Sequence, residues 1–509
     1  MILSRFTLKN VQNKGLIVPS ASVFELPEKV LQFGTGVLLR GLPDYFIDKA
    51  NRQGVFNGRV VVVKSTDSGD SGVFEKQDGL YTLCVRGLEN GVKIEENIIC
   101  SSISRVLSAK EDWSKVLQCA HNPAMNIVIS NTTEVGIQLV KENISKNPPS
   151  SFPGKLLAFL YERYKAFDGS DVSGMVIVPT ELIVDNGKKL ESIVLELAHF
   201  NGLEEGFTEW VNNSNHFCSS LVDRIVPGKP DAVTRQQLES VLGYSDDLLS
   251  MSEVYRLWAI EGNEHVQSVL SFAQADKGVI VAPDIDSYRE LKLRLLNGAH
   301  TLSCGLAFLS GFSTVKNAMD NQSFSSFVED LMLKEIAEGI PYQLPAGRAR
   351  EFGLQVLDRF RNPHLEHQWI SITMQYTSKM KMRNIPVLLK YYETHDSVPG
   401  YIALGFAAYL LFMKADKKEG DKYHGLSMGQ FYPINDDKAA YFYELWQLHT
   451  PDELADVVLR DESVWGTDLT QLSGFAVAVK ENLRSLIEQG PAATLGTFQS
   501  TSAVAGRQK

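Results

Sequence analysis

Lys292, Asn297 and His300 are the residues whose types and spacing point most directly to chemistry. They set an amine, an amide and an imidazole within one short leucine-rich stretch. On a regular helix of 3.6 residues per turn, Asn297 lies about 140° and His300 about 80° from Lys292, so all three can face one cavity. Oxidising an alcohol, or reducing a ketone, needs a group that takes or gives the hydroxyl proton and donors that hold the developing alkoxide. A lysine in a poorly hydrated pocket favours its neutral amine and can act as that base. The plainer alternative is a solvated lysine, a helix-interior asparagine beside Gly298 and a core histidine with its bonds satisfied.

A second candidate is the turn Gly34, Thr35, Gly36, with Arg40 four residues on. It follows a β-branched run at residues 29–33 and opens a helical pattern at 37–50. Strand, glycine turn and helix in that order suit a dinucleotide, because glycines let the backbone approach a pyrophosphate. Leu39 stands where a GxGxxG motif has its third glycine, and an ordinary tight turn fits the same residues. After the next strand, at 59–63, Asp67 is placed to hold a ribose hydroxyl, whereas Lys64 suits a 2′-phosphate or solvent. Asn131, Thr133 and Glu134 follow another buried run at 126–130. Small polar residues at such a strand end face the ligand crevice of an open α/β sheet, or simply cap a turn. Asp223 and Arg224 lie inside an apolar run, where charges must be paired or used; a structural ion pair is the default reading.

The elements that must position these groups fall into two kinds. Up to about residue 285, β-branched runs (29–33, 59–63, 126–130 and 175–178) alternate with helical patterns at 109–120 and 155–167. That alternation predicts an α/β domain of Rossmann type, with a doubly wound parallel sheet, over residues 1–285. From 286 to 509 long amphipathic segments take over, at 287–309, 325–338, 346–360, 368–380 and 401–414. Strand-like runs nearly vanish there, so a mostly helical domain is expected. The apolar stretch 401–413 is shorter than the ~20 residues that span a bilayer and reads as a buried helix. The tail from Pro491 reads as frayed.

A chain of 509 residues exceeds what one hydrophobic core usually serves. With 44% hydrophobic and 22% charged residues its composition is that of a soluble globular protein. The net charge of −11 argues against nucleic acid and anionic membranes as partners, yet leaves room for a local cationic cleft. The five cysteines form no CxxC pair, which argues against a zinc ribbon or disulfide framework. With no secretory leader at the N-terminus, reduced cysteines and a cytoplasmic location are expected. No heptad or edge-strand pattern sets an oligomeric state.

Taken together, Gly34, Gly36 and Arg40, the segment around Asp223, and the K-x4-N-x2-H spacing of Lys292, Asn297 and His300 resemble the mannitol dehydrogenase family of polyol-specific long-chain dehydrogenases. The resemblance runs from about residue 30 to 486. It implies a Rossmann domain followed by a helical domain, an NAD-dependent reaction between a ketone and a secondary alcohol, and no metal. It also implies that Lys292 is the general acid/base and that Asn297 and His300 bind the reacting oxygen. Gly34, Thr35, Gly36, Arg40, Asp67, Asn131, Thr133 and Glu134 are then the cofactor residues. The wording at Phe217, Cys218, Asn362 and Pro363 points within the family to members acting on sugar acids. A sugar acid brings a carboxylate, for which Lys379, Lys381 and Arg383 are natural partners, with Asp223 available to its hydroxyls. One departure stands out. The family's second alkoxide-binding asparagine, after the strand at 175–178, is matched here by Leu182, which leaves Glu181 or Asn186 to complete the oxygen site. An uncharged polyol remains the alternative substrate. A catalytically silent NAD-binding sensor on the same scaffold is disfavoured by the complete Lys-Asn-His set.

Overall fold

The computed structural model describes residues 1–11, 15–65, 72–132 and 136–505. The chain divides into two compact units. One comprises Met1–Gly87 and Lys93–Ile285, the other Leu88–Val92 and Asp286–Lys509.

The first unit is built on a six-stranded parallel sheet. In spatial order its strands are Ile103–Ser108, Arg59–Lys64, Glu28–Phe33, Ile127–Ser130, Val176–Pro179 and His216–Phe217. This is the 3-2-1-4-5-6 order of a dinucleotide-binding fold, whose ligand crevice lies where the order reverses, beyond the ends of strands one and four. Here those ends are Phe33 and Ser130, paired in register. The valine-rich strands form because both faces are buried. Val30, Val60, Val62, Ile127 and Ile129 enter one core. Their neighbours Leu31, Phe33, Val61, Val63 and Val128 enter the other. Successive side chains of a strand point to opposite faces, so a continuous apolar run serves two cores at once.

Two features depart from the sequence pattern. The helix expected at 37–50 is two helices, Val37–Gly41 and Pro43–Arg52, divided at Leu42 with φ −134° and ψ −79°. Pro43 lacks an N–H and disfavours helical geometry in the residue before it, so the break belongs there. The unit also holds a second sheet, in which Tyr81–Glu89 lies between Val92–Cys100 and Ser250–Glu253.

The second unit is mainly helical. Gly400–Phe412 is apolar all round and buried along nearly its whole length, as a core helix must be. Among the described residues no helix is long and apolar enough to cross a membrane. The expected helix at 287–309 is regular only at its ends. Asp286–Leu291 and Ala299–Leu309 are α-helical, and Lys292–Gly298 between them is a π-helix. Two more π segments occur, Leu331–Ile336 and Met380–Asn384. A three-stranded antiparallel sheet, Lys417–Glu419, Lys422–Ser427 and Gln430–Pro433, stands where no strands were expected. Its Tyr432 is buried 4.8 Å from Phe412 and 4.9 Å from Phe308, which anchors the sheet to the helical core. The tail is helical from Pro491 to Ala505.

Candidate active site

In the first unit, the chain leaves the central strand at Gly34 with φ +124°, a backbone state that side chains rarely adopt. A Cβ there would sit 2.8 Å from the carbonyl oxygen of Asn131, at the end of the adjacent strand. Gly34 is therefore required for the two strand ends to close on each other. Gly36 is different. It is exposed, its φ is −60°, and a Cβ would meet nothing within 4 Å. The open space above it is where a ligand can approach the backbone. Arg40 lies beneath the turn at 8% exposure. Its guanidinium donates to the carbonyl of Thr35 at 2.9 Å and to Ser250 Oγ at 3.3 Å, and Tyr81 Oη donates back to the Arg40 carbonyl at 2.7 Å. The structure thus gives Arg40 the task of shaping the turn.

Asn131 donates to the carbonyl and hydroxyl oxygens of Thr180, at 3.2 and 3.0 Å. Glu181, 3% exposed, accepts from Thr132 N at 2.8 Å, Thr132 Oγ1 at 2.9 Å and Ser130 Oγ at 3.1 Å. Asn186 is wholly buried. Its Nδ2 donates to the carbonyls of Pro179, Glu181 and Ser220, and its Oδ1 accepts from Ser220 N. These bonds hold both candidates for completing the oxygen site, Glu181 and Asn186, in the loop that follows the strand. Leu182 is 63% exposed. Asp67, Thr133 and Glu134 lie outside the described residues. Asp223 is buried at the end of the strand Ser220–Asp223. Arg224 beside it donates to the carbonyls of Gly41 and Glu253 and packs over Tyr45, a structural position.

The chemistry-bearing cluster of the second unit rests on two π segments packed together. A π-helix repeats through i→i+5 bonds and recurs at functional sites. Lys292 and Asn297 are five apart, so the wider turn brings them nearer one line than the 3.6-residue helix assumed from sequence. Arg294 ties the two segments. It pairs with Glu290 at 2.9 Å and donates to the carbonyls of Met382 and Arg383 at 2.6 and 2.8 Å. Arg383 returns the tie, donating to Thr301 Oγ1 at 3.0 Å and the Asn297 carbonyl at 3.4 Å. At Gly298 a Cβ would sit 2.8 Å from Asn384 Oδ1, so glycine lets the two segments lie close without that side chain shifting.

His300 is one turn on. Its ring stacks on Phe360 at 4.0 Å and meets His367 and Trp369 edge-on at 5.3 and 5.9 Å. The residue is partly exposed, yet Nε2 is covered and has no hydrogen-bond partner among the described residues. Burial, followed by the charges around His367, Arg359 and Arg383, holds its pKa well below the ordinary histidine value. His300 is therefore a neutral imidazole at physiological pH, able to donate or accept a hydrogen bond without carrying charge. Lys379 is half-buried, donates to the Ile372 carbonyl at 3.0 Å, and has its pKa lowered by burial and then by Arg383. Burial likewise lowers Arg383, whose Nε is covered and without a partner. Lys381 is exposed. His367 and Arg359 were missed by the sequence reading. The first lies in an irregular segment and the second inside an amphipathic helix, and neither carries a spacing signal.

Comparison with known proteins decides the lineage. The family model of the mannitol dehydrogenase Rossmann domain matches residues 28–273, and that of the mannitol dehydrogenase C-terminal domain matches residues 284–487. The chain belongs to the mannitol dehydrogenase family. It is 39% identical over 472 residues to the altronate oxidoreductase of Bacillus subtilis (strain 168), covering 92% of this chain and 94% of that one. The altronate oxidoreductase of Escherichia coli O7:K1 (strain IAI39 / ExPEC) is 35% identical over 92% of this chain and 96% of its own. Among solved structures, a D-sorbitol dehydrogenase in substrate-free form superposes with a TM-score of 0.75 at 20% identity, over 97% of this chain and all of that one. A Pseudomonas fluorescens mannitol 2-dehydrogenase, in ternary complex with NAD and D-mannitol, gives 0.65 at 21% identity over 98% of this chain and all of that one. Both share this fold. The protein is an oxidoreductase of this family, with a nicotinamide cofactor and a Rossmann-type domain to receive it.

Proposed function

We propose that this protein reduces D-tagaturonate to D-altronate with NADH, reversibly, in hexuronate breakdown. The substrate reading rests on the full-length likeness to altronate oxidoreductases. The structural observation that supports the chemistry is the π-turn of Lys292–Gly298, which brings Lys292 and Asn297 toward one line with the unpartnered Nε2 of His300 a turn beyond. Residues 1–285 serve as the cofactor domain and residues 286–509 as the substrate domain.

The turn at Gly34, Thr35 and Gly36 suits the cofactor, because the space a side chain would fill at Gly36 is open. Gly34, Thr35, Gly36 and Asn131 would line the pyrophosphate, Arg40 would fix the turn from below, and Asp67, Thr133 and Glu134 are assigned to the same ligand. When bound, the cofactor supplies or accepts the hydride. Lys292 gives the proton to the carbonyl oxygen in reduction and takes it back in oxidation. Asn297 and His300 hold that oxygen as its charge grows. A neutral imidazole suits this role because it donates a hydrogen bond without a competing charge on the proton donor. Lys379 and Arg383 attract the substrate carboxylate, and Asp223 is assigned to its hydroxyls.

The test is NADH consumption by the purified protein with D-tagaturonate, D-fructuronate and D-fructose in parallel. The proposal expects D-tagaturonate to be turned over fastest. Faster turnover of fructose, or none with any hexuronate, would refute it.

A further inference from the structure

The antiparallel sheet of the second unit borders a cavity that the proposed reaction does not use. The cavity measures about 1000 Å³. It lies where the strand Lys422–Ser427 begins, and Met374, Gln375 and the segment 434–437 complete its wall. None of Lys292, Asn297, His300, Lys379 and Arg383 lines it. Cavities that hold compact organic ligands span ~300–1000 Å³, so this one has room for a molecule of disaccharide size.

The lining mixes donors, acceptors and apolar groups. Asp421, Asn435 and Asp437 bring oxygens, Lys422 and Asn435 bring N–H groups, and Met374, Tyr423 and Ile434 bring apolar surface. Asp421, Lys422 and Asn435 are exposed, and their side chains make no hydrogen bond or ion pair among the described residues. A hydroxyl both donates and accepts, so a wall that does both, with apolar surface for C–H groups, suits a hydroxyl-rich molecule. Charge narrows the choice. The carboxylates of Asp421, Asp436 and Asp437 oppose an anionic ligand. Two of them are already engaged: Asp436 accepts from Thr377 N at 2.7 Å and Thr377 Oγ1 at 2.9 Å, and Asp437 from Gln375 Nε2 at 2.8 Å. With Lys422 in the same wall, the pull on a cation is also reduced.

The wall is set before a ligand arrives. Gln375 has φ 53° and ψ 49°, a left-handed state that residues other than glycine seldom adopt. Its N–H donates to the Asn435 carbonyl at 2.8 Å, its Nε2 donates to Asp437 Oδ1 at 2.8 Å, and its Oε1 accepts from Asp437 N at 3.3 Å. A strained residue held by its surroundings is a feature that clusters at ligand sites, and a wall already ordered lowers the cost of binding. We propose that this cavity binds a neutral disaccharide, with Asn435 and Lys422 hydrogen-bonded to its hydroxyls. The proposal stands apart from the substrate reading and does not depend on it.

The experiment is titration calorimetry on the full chain without cofactor, using maltose, cellobiose, sucrose and trehalose as probes. Cellobionate serves as the anionic comparison and spermidine as the cationic one. At least one neutral disaccharide should bind, and more tightly than cellobionate or spermidine. Asn435→Ala and Lys422→Ala, both at exposed positions, should each weaken that binding ~3- to ~10-fold, the worth of one hydrogen bond, with the Tm of the free protein unchanged. Lys292→Ala should bind the sugar as the wild type does, which separates the cavity from the proton-handling segment. No binding by any of the neutral sugars, or tighter binding of cellobionate or spermidine, would overturn the proposal. So would affinity that is lost in Lys292→Ala or that both cavity variants leave unchanged, since the sugar would then sit elsewhere.

Discussion

The cofactor turn and the proton-handling segment obtain their geometry by opposite means. At Gly34 and Gly36 the shape comes from side chains that are missing: one glycine lets two strand ends close, and the other leaves space above the backbone. At Lys292–Gly298 the shape comes from long side chains arriving from elsewhere, with Arg294 reaching the carbonyls of Met382 and Arg383 and Arg383 reaching back to Thr301. The first device is local and tolerant of its surroundings. The second depends on two distant pieces of chain being correct together. Damage to the turn should therefore appear in cofactor affinity, and damage to the π-turn in the chemical step.

The largest effect tests that division directly. Lys292→Ala should lower kcat by ~10² to ~10⁴, the usual consequence of removing a proton-transfer group, while titration calorimetry finds NADH affinity unchanged. A variant with wild-type kcat would make Lys292 a solvated surface residue. The glycines sharpen the other side. Gly36→Ala should raise the Kd for NADH by about tenfold or more through steric intrusion, because precise fit is worth 1.4 kcal/mol per decade, with Tm unchanged. Gly34→Ala should weaken NADH binding and also cost about 1–3 kcal/mol of stability, since its backbone state is strained for any side chain. Equal stability losses in the two variants would remove the distinction drawn between them.

Smaller effects concern the ties. Arg294→Lys keeps the charge but loses the fork that spans two carbonyls. A loss of about tenfold in kcat, close to 1.4 kcal/mol, is expected with NADH affinity intact; a normal kcat would show that the second π segment does not position the first. The third π segment supplies a control. Glu335, in Leu331–Ile336, accepts from Tyr401 N at 3.0 Å and Ile402 N at 2.7 Å. Burial pushes its pKa up to about 8, against the lowering effect of those backbone bonds. The folded state thus keeps a proton that the unfolded chain releases near pH ~4.3. The resulting stability is full below that pH and is lost as pH rises through about 8. Urea midpoints measured at both ends of this window should fall more for the wild type than for Glu335→Gln, with little change in kcat. Parallel profiles would contradict the assignment.

How much of this was legible in the sequence follows from the same contrast. The valine runs, the glycine turn and the change to helical patterning after 285 are local signals, and the strands formed where period and β-branching placed them. The break at Leu42 was also written locally, in Pro43, but lay inside a stretch that otherwise reads as helix. The π-turns were not legible, because nothing in their own residues distinguishes them from α-helix and their ties join positions about ninety apart. The position of His367 was hidden for the same reason: the fold, not the neighbouring sequence, sets its ring edge-on to His300. Nor do residue types alone show that Glu181 and Asn186 are hydrogen-bonded within their own loop, as polar side chains near a site often are.

The central claim is that Lys292, Asn297 and His300 together hold the reacting oxygen. A crystal structure of the protein with NAD and D-altronate tests it most directly. The account predicts the oxygen to be oxidised within hydrogen-bonding distance, ~2.6–3.2 Å, of Lys292 Nζ, the Asn297 side chain and His300 Nε2. An altronate whose reacting oxygen met none of the three, with His300 Nε2 still unpaired, would contradict it.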